Sequence, residues 1–245
     1  MPTDLLLCLI AFSAGFTQGL SGFGSVLVAL PLMVLLLDLK TAVPLAGLWG
    51  MTINIILLLT LRRHLDLTRI VPLVVAALPG VPLGVYFLKN VPLWLLEMVL
   101  GVLLVVFSIY FVWSGGKTRR LSRGWAYAAG FSSGCLGGSL AASGPPVIIY
   151  TALQPWPKDE IKSTLTGFFF LSGLTIIFAQ IVAGLITPQV LKTSLISIPF
   201  VVLGVILGTW CYNRMETIRY RQVVVGLVTL LGLITVGKSL AGSGF

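Results

Sequence analysis

Two stretches of the chain combine residue types that could hold a small anion without a fixed charge. "GFTQGLSGFG", Gly15–Gly24, and "GFSSGCLGGS", Gly130–Ser139, set glycines among amide and hydroxyl side chains inside long apolar runs. Glycine permits tight turns and lets backbone N–H groups approach a ligand closely. Free N–H groups at a helix start attract anions. In the first stretch the candidate binding residues are Gln18, Gly19, Ser21, Gly22, Gly24 and Ser25, with Thr17 nearby. In the second they are Ser133, Gly134, Gly137, Gly138 and Ser139, with Ser132 beside them, and just after it Ser143 and Gly144. Asn54 joins them as polar lining from a neighbouring run. A hydrogen bond to a charged group contributes about 1.5–3 kcal/mol, and a partly buried helix terminus adds up to ~2 kcal/mol. A handful of such contacts would offset much of the cost of dehydrating a small anion. The site needs no fixed positive charge, and none is visible in either stretch.

Other chemistry is missing. The only histidine, His64, lies in the basic loop "LRRHLDLTR". The seven acidic residues fall in loops or near the ends of runs, so no mid-span carboxylate suggests a proton relay. Cys8, Cys135 and Cys211 are odd in number and lack CxxC spacing, which argues against a disulfide framework or a zinc site. With no Ser/His/Asp set, metal cluster or phosphate loop, the chain reads as no enzyme and as needing no cofactor. Cys135 is the one reactive side chain near the proposed site, although a buried cysteine is more often a small apolar residue. Ser172 and Gln180 suit either polar lining or interhelical hydrogen bonding.

The elements that must position these residues are membrane helices. The apolar fraction is 57% and the charged fraction 9%, against ~45–50% and ~25% in soluble domains. The net charge of +9 comes from bases in short gaps between apolar runs, a pattern of topology rather than of nucleic-acid binding. The N-terminus lacks a basic n-region and a small-residue cleavage site, so it reads as a retained segment. Six runs suit single spans of about 20 residues: Thr41–Leu61, Ile70–Leu88, Val91–Trp113, Ser163–Ile186, Thr193–Tyr212 and Gln222–Leu240. Leu5–Leu37 and Gly124–Leu153 do not. A straight helix of that length reaches ~45–50 Å, against a hydrocarbon core of ~30 Å. Each is therefore expected to break near its glycines, re-entering or crossing twice. Ser143-Gly144-Pro145-Pro146 should open a second half-helix with Ser143 as N-cap, and Pro31 should mark the equivalent start in the first copy.

The halves repeat. Gly15, Phe16, Gly19 and Gly22 match Gly130, Phe131, Gly134 and Gly137; Lys40 matches Lys158; Gly80 and Gly84 match Gly204 and Gly208. The expected units are residues 1–116, a basic hinge 117–123, and residues 124–245. Basic residues favour cytoplasmic loops. They swap sides between units: Arg62, Arg63 and Arg69 in one second gap, Arg214, Arg219 and Arg221 in the other third gap. The expected fold is an all-α polytopic membrane protein of two inverted-topology repeats. Each has one broken or re-entrant helix followed by three spanning helices. The hinge is cytoplasmic and both chain ends lie outside. The two breaks should meet near the midplane, where transporters of this kind bind their substrate.

The paired segments "GFTQGLSGFGSVLVALPL" and "GFSSGCLGGSLAASGPPV", each opening a unit of the repeat, resemble the TauE/SafE family. The resemblance implies a bacterial inner-membrane permease that exports a small sulfur-containing anion such as sulfite, sulfoacetate or a related organosulfonate. The partners it implies are that anion and the lipid bilayer, with no nucleic acid; a homodimer is kept as a candidate assembly. Two other readings stay open: a carrier for another small anion, such as thiosulfate or a carboxylate, and a non-transporting membrane scaffold.

Overall fold

The computed structural model describes residues 2–61, 65–113 and 121–212, with the isolated positions 233 and 237. The run Gln222–Leu240 and most of the basic hinge lie outside this set apart from those positions. Among the described residues all regular structure is helical. The elements are α1 (Pro2–Ser21), α2 (Ser25–Met33), α3 (Leu39–Leu61), α4 (Leu67–Asn90), α5 (Leu93–Trp113), α6 (Arg123–Leu140), α7 (Gly144–Leu153), α8 (Lys158–Val182) and α9 (Pro188–Tyr212). Five of them, α1, α3, α4, α8 and α9, are long and apolar enough to cross a membrane. Large apolar side chains such as Leu59, Phe178, Val182 and Leu195 face outward, as expected where the surrounding solvent is lipid.

Both long runs are broken, each by its own local chemistry. In the first, Gly22 (φ 82°) and Gly24 (φ 93°) adopt the left-handed conformation that ends α1 and opens α2. Ser21 Oγ closes the turn, donating to Thr17 O at 2.7 Å and accepting from Phe23 N at 3.2 Å. Pro31 lies inside α2 rather than at its start, so the glycines set this break and the proline does not. The second half-helix opens where Ser143-Gly144-Pro145-Pro146 places it, and the break lies there and not in the glycine stretch. The glycine stretch Gly130–Ser139 stays helical within α6, and the chain turns at Ala141–Ser143, with Ala141 at φ 51°. Pro145 and Pro146 explain its place, because a proline ring clashes with the carbonyl four residues earlier and cannot extend α6. Ser143 holds the N-cap position of α7 without a side-chain capping bond.

The glycines of α6 serve packing instead. A Cβ at Gly130, Gly134 or Gly138 would stand 2.3 Å from the carbonyl oxygens of Leu73, Ala77 and Val81 on α4. In return, Gly80 and Gly84 of α4 accept the backbone of Phe131 and Cys135 equally closely. The same device joins α1 to α9, where Gly15 and Gly19 meet Val201 and Val205, and Gly204 and Gly208 meet Phe12 and Phe16. Small residues let membrane helices approach to backbone contact, where dispersion and Cα–H···O contacts hold them. The matched glycines of the two halves are thus matched interfaces.

These contacts also fix direction. Residue numbers rise together along α1 and α9, and along α4 and α6, so each pair is parallel. Arg69 meets Glu160 near the starts of α4 and α8, and Lys89 Nζ donates to Ala183 O near their ends at 3.1 Å. Gly47 faces Gln180 and Gly173 faces Met51, so α3 and α8 are antiparallel. The short connection 183–187 turns the chain from α8 back into α9, so α1, α3 and α9 run one way and α4, α6 and α8 the other. Because α1 and α3 share a direction, α2 and the turn after it carry the chain back. α7 does the same between α6 and α8.

Candidate functional site

The two breaks meet. Gly24–Leu27 from the first and Ala141–Gly144 from the second line one cavity of about 60 Å³. Its walls come from the middle of α3 (Ala46, Gly47, Gly50, Met51, Asn54) and of α8 (Phe169, Gly173, Ile176), with Gln18 and Ile148 completing it. One water needs at least about 10–15 Å³ of such space. The cavity therefore has room for a few waters or one small polyatomic ion.

Its polar groups form a directed chain. Ser25 Oγ donates to Gln18 Oε1, and Gln18 Nε2 donates to Asn54 Oδ1 at 2.7 Å. All three residues are buried. The chain consumes the carbonyl oxygens of both amides and leaves N–H donors: the second hydrogen on Gln18 Nε2 and both on Asn54 Nδ2. Helix α2 adds more. Its backbone ladder begins at Val28, which donates to Gly24 O at 3.2 Å, so the amides of Ser25, Val26 and Leu27 have no acceptor within the helix. Helix α7 contributes less than the sequence suggested, since Pro145 and Pro146 carry no N–H; Gly144 N–H and the Ser143 hydroxyl are its donors. Among the described residues no acidic side chain lines the cavity. The result is a mostly apolar pocket with a few N–H and O–H donors set into its wall.

Of the residues anticipated from the sequence, Gln18, Gly24, Ser25, Asn54, Ser143 and Gly144 come together here. The others stand elsewhere. Gly19, Gly134 and Gly138 are helix contacts, because their faces are pressed against α9 or α4. Gly137 packs on Ile176 and Ser143. Ser21 is used by its own turn, and Ser139 Oγ donates to Cys135 O within α6 at 2.8 Å. Ser133 is fully buried with its hydroxyl unpartnered, away from the cavity lining. Ser172 donates to Phe168 O at 2.7 Å. Gln180 is buried with neither amide atom bonded.

The sequence reading missed two features. Gly47, Gly50 and Gly173 hollow out the cavity wall; a Cβ at Gly50 would meet no atom within 4 Å. A residue without a side chain announces nothing about the space beside it. The second is a positive charge next to the first break. Lys162 on α8 is buried, its Nζ lies 3.5 Å from Gly19 O, and its stem covers Gly22. The apolar run begins only at Ser163, so "KDEIK" reads as flank in the sequence. A helix beginning at Lys158 carries Lys162 one turn inside.

Taken together, the chain is a multi-pass helical membrane protein in which two broken elements meet at a shared cavity. The family model "Sulfite exporter TauE/SafE" matches residues 7–235, and the chain belongs to the TauE/SafE family. No curated protein and no solved structure matches it.

Proposed function

We propose that the protein exports a small sulfur-containing oxyanion, with sulfite as the first substrate to test, by alternating access between inverted repeats. The observation that carries the reading is the uncharged, donor-lined cavity at the meeting of the two breaks, in a chain of this family. Its size favours sulfite over larger sulfonates. The opposite directions of α1 and α6 support inversion, as does the reciprocal packing of α1 on α9 and α6 on α4. Those two glycine-locked pairs are natural rigid bodies, and rocking one against the other would open the cavity to each face in turn. The starts of α4, α6 and α8 lie at one face, with Arg69 and Arg123 in their first turns. By the bias of lysine and arginine, that face is cytoplasmic.

The test is flux. Purified protein in proteoliposomes should move labelled sulfite, and thiosulfate, sulfoacetate and acetate should compete in an order that ranks substrates. A preference for acetate over every sulfur anion would transfer the reading to a carboxylate carrier. Absence of flux for all of them would leave a scaffold.

A further inference from the structure

Among the described residues Lys162 is the one cation that is buried. Its ammonium lies against Gly19 O, one of the last carbonyls of α1, and Thr209 Oγ1 reaches the same oxygen at 3.4 Å. Terminal carbonyls form the negative end of a helix dipole. Here that end points into the break whose other side, the start of α2, is the donor-rich wall of the cavity. Without a counter-charge, α1 would repel the anion that α2 attracts. Along α8, Lys162 stands about 6 Å inside the helix start and about 10 Å before Phe169, the first α8 residue in the cavity wall. It therefore lies between the basic face and the cavity. The first half has no equivalent: with Lys40 matched to Lys158, the position on α3 corresponding to Lys162 is Pro44.

Resting on the anion-transport reading above, we propose that Lys162 is the counter-charge of the transported anion on its passage from the basic face. With the cavity empty, the ammonium neutralises the end of α1. When an anion enters, the ammonium exchanges the Gly19 carbonyl for an anion oxygen and passes the ion to the amides of α2. Among the described residues this gives the pathway a charged station on its basic side.

The experiment measures sulfite affinity on the purified full chain by calorimetry, for wild type, Lys162→Met and Lys162→Arg. Methionine keeps an apolar stem over Gly22 and removes the charge; arginine restores it. Loss of one charge-assisted contact raises Kd by about tenfold or more in the Met variant, and the Arg variant stays within about threefold of wild type. Lys162→Gln, read the same way, serves if the Met variant does not insert. Wild-type affinity in a charge-free variant overturns the proposal. So does an Arg variant that folds yet binds as weakly as Met, since charge would then not be what matters. A wild-type protein that binds and moves no sulfur anion instead overturns the transport reading itself, and this inference with it.

Discussion

Replacing Asn54 by Asp probes the polarity of the cavity with the smallest structural change. Asn54 accepts from Gln18 through Oδ1 and turns its Nδ2 donors to the cavity. A carboxylate of the same shape still accepts from Gln18, so the link between α1 and α3 survives. The two outward donors become an anionic oxygen. For a bound anion about 4 Å away, at an effective dielectric constant near 20, repulsion is about 4 kcal/mol. That corresponds to roughly a thousandfold loss of affinity, before the lost donor contacts are counted. Asn54→Leu gives the comparison. It removes donors without adding charge, for about 1.5–3 kcal/mol of binding, and leaves the Gln18 amide without its acceptor. The Asp variant should therefore be nearly as stable as wild type in detergent yet bind sulfite more weakly than the Leu variant. Titration calorimetry with a melting curve on each protein reads both quantities. Equal sulfite affinity in wild type and a well-folded Asn54→Asp protein would refute the donor-lined site.

Three further outcomes follow from particular contacts. Gly50→Leu should fill the cavity without a backbone clash, giving a protein that melts like wild type but transports nothing in proteoliposomes. Gly84→Val should do the reverse: its Cβ would lie 2.2 Å from Cys135 O, so α4 and α6 separate and the protein is recovered aggregated by size-exclusion chromatography. Asp66, in the loop before α4, caps that helix by accepting from Thr68 N at 2.9 Å. The Thr68 hydroxyl, chiefly, holds its carboxyl below the usual value of about 3.8. A lowered folded value stabilises above pH 3.8 and the benefit is lost as pH falls through it. Asp66→Ala should thus cost about 0.5–2 kcal/mol at pH 7, and its melting deficit should shrink below about pH 3.8.

The existence of both breaks was legible because length is an arithmetic constraint: a run too long for one crossing and too short for two must bend. The start of the second half-helix was legible in Ser143-Gly144-Pro145-Pro146; that the glycines before it stay helical was not. Glycine serves two ends in a membrane helix, turning the chain and admitting a neighbour's backbone, and only the neighbour tells them apart. At Gly22 and Gly24 it turns the chain; at Gly134 and Gly138 it admits α4. Pro145 and Pro146 were the truer marker, since their effect on the preceding turn is steric and local. Asn54 was legible as a lone amide in an apolar run. Gly47, Gly50 and Gly173 were not, because a cavity is made by what is missing. Lys162 was hidden by drawing a span boundary at the first apolar residues rather than at the helix start.

The most direct measurement of the central claim is an experimental structure of the protein saturated with selenite, a heavier analogue of sulfite located by anomalous scattering. The account predicts a single strong peak between Ser25 and Gly144, within hydrogen-bond distance of Asn54 Nδ2 and of the free amides opening α2. A cavity without the peak at saturating selenite, or a peak only outside the space between the two breaks, would contradict it.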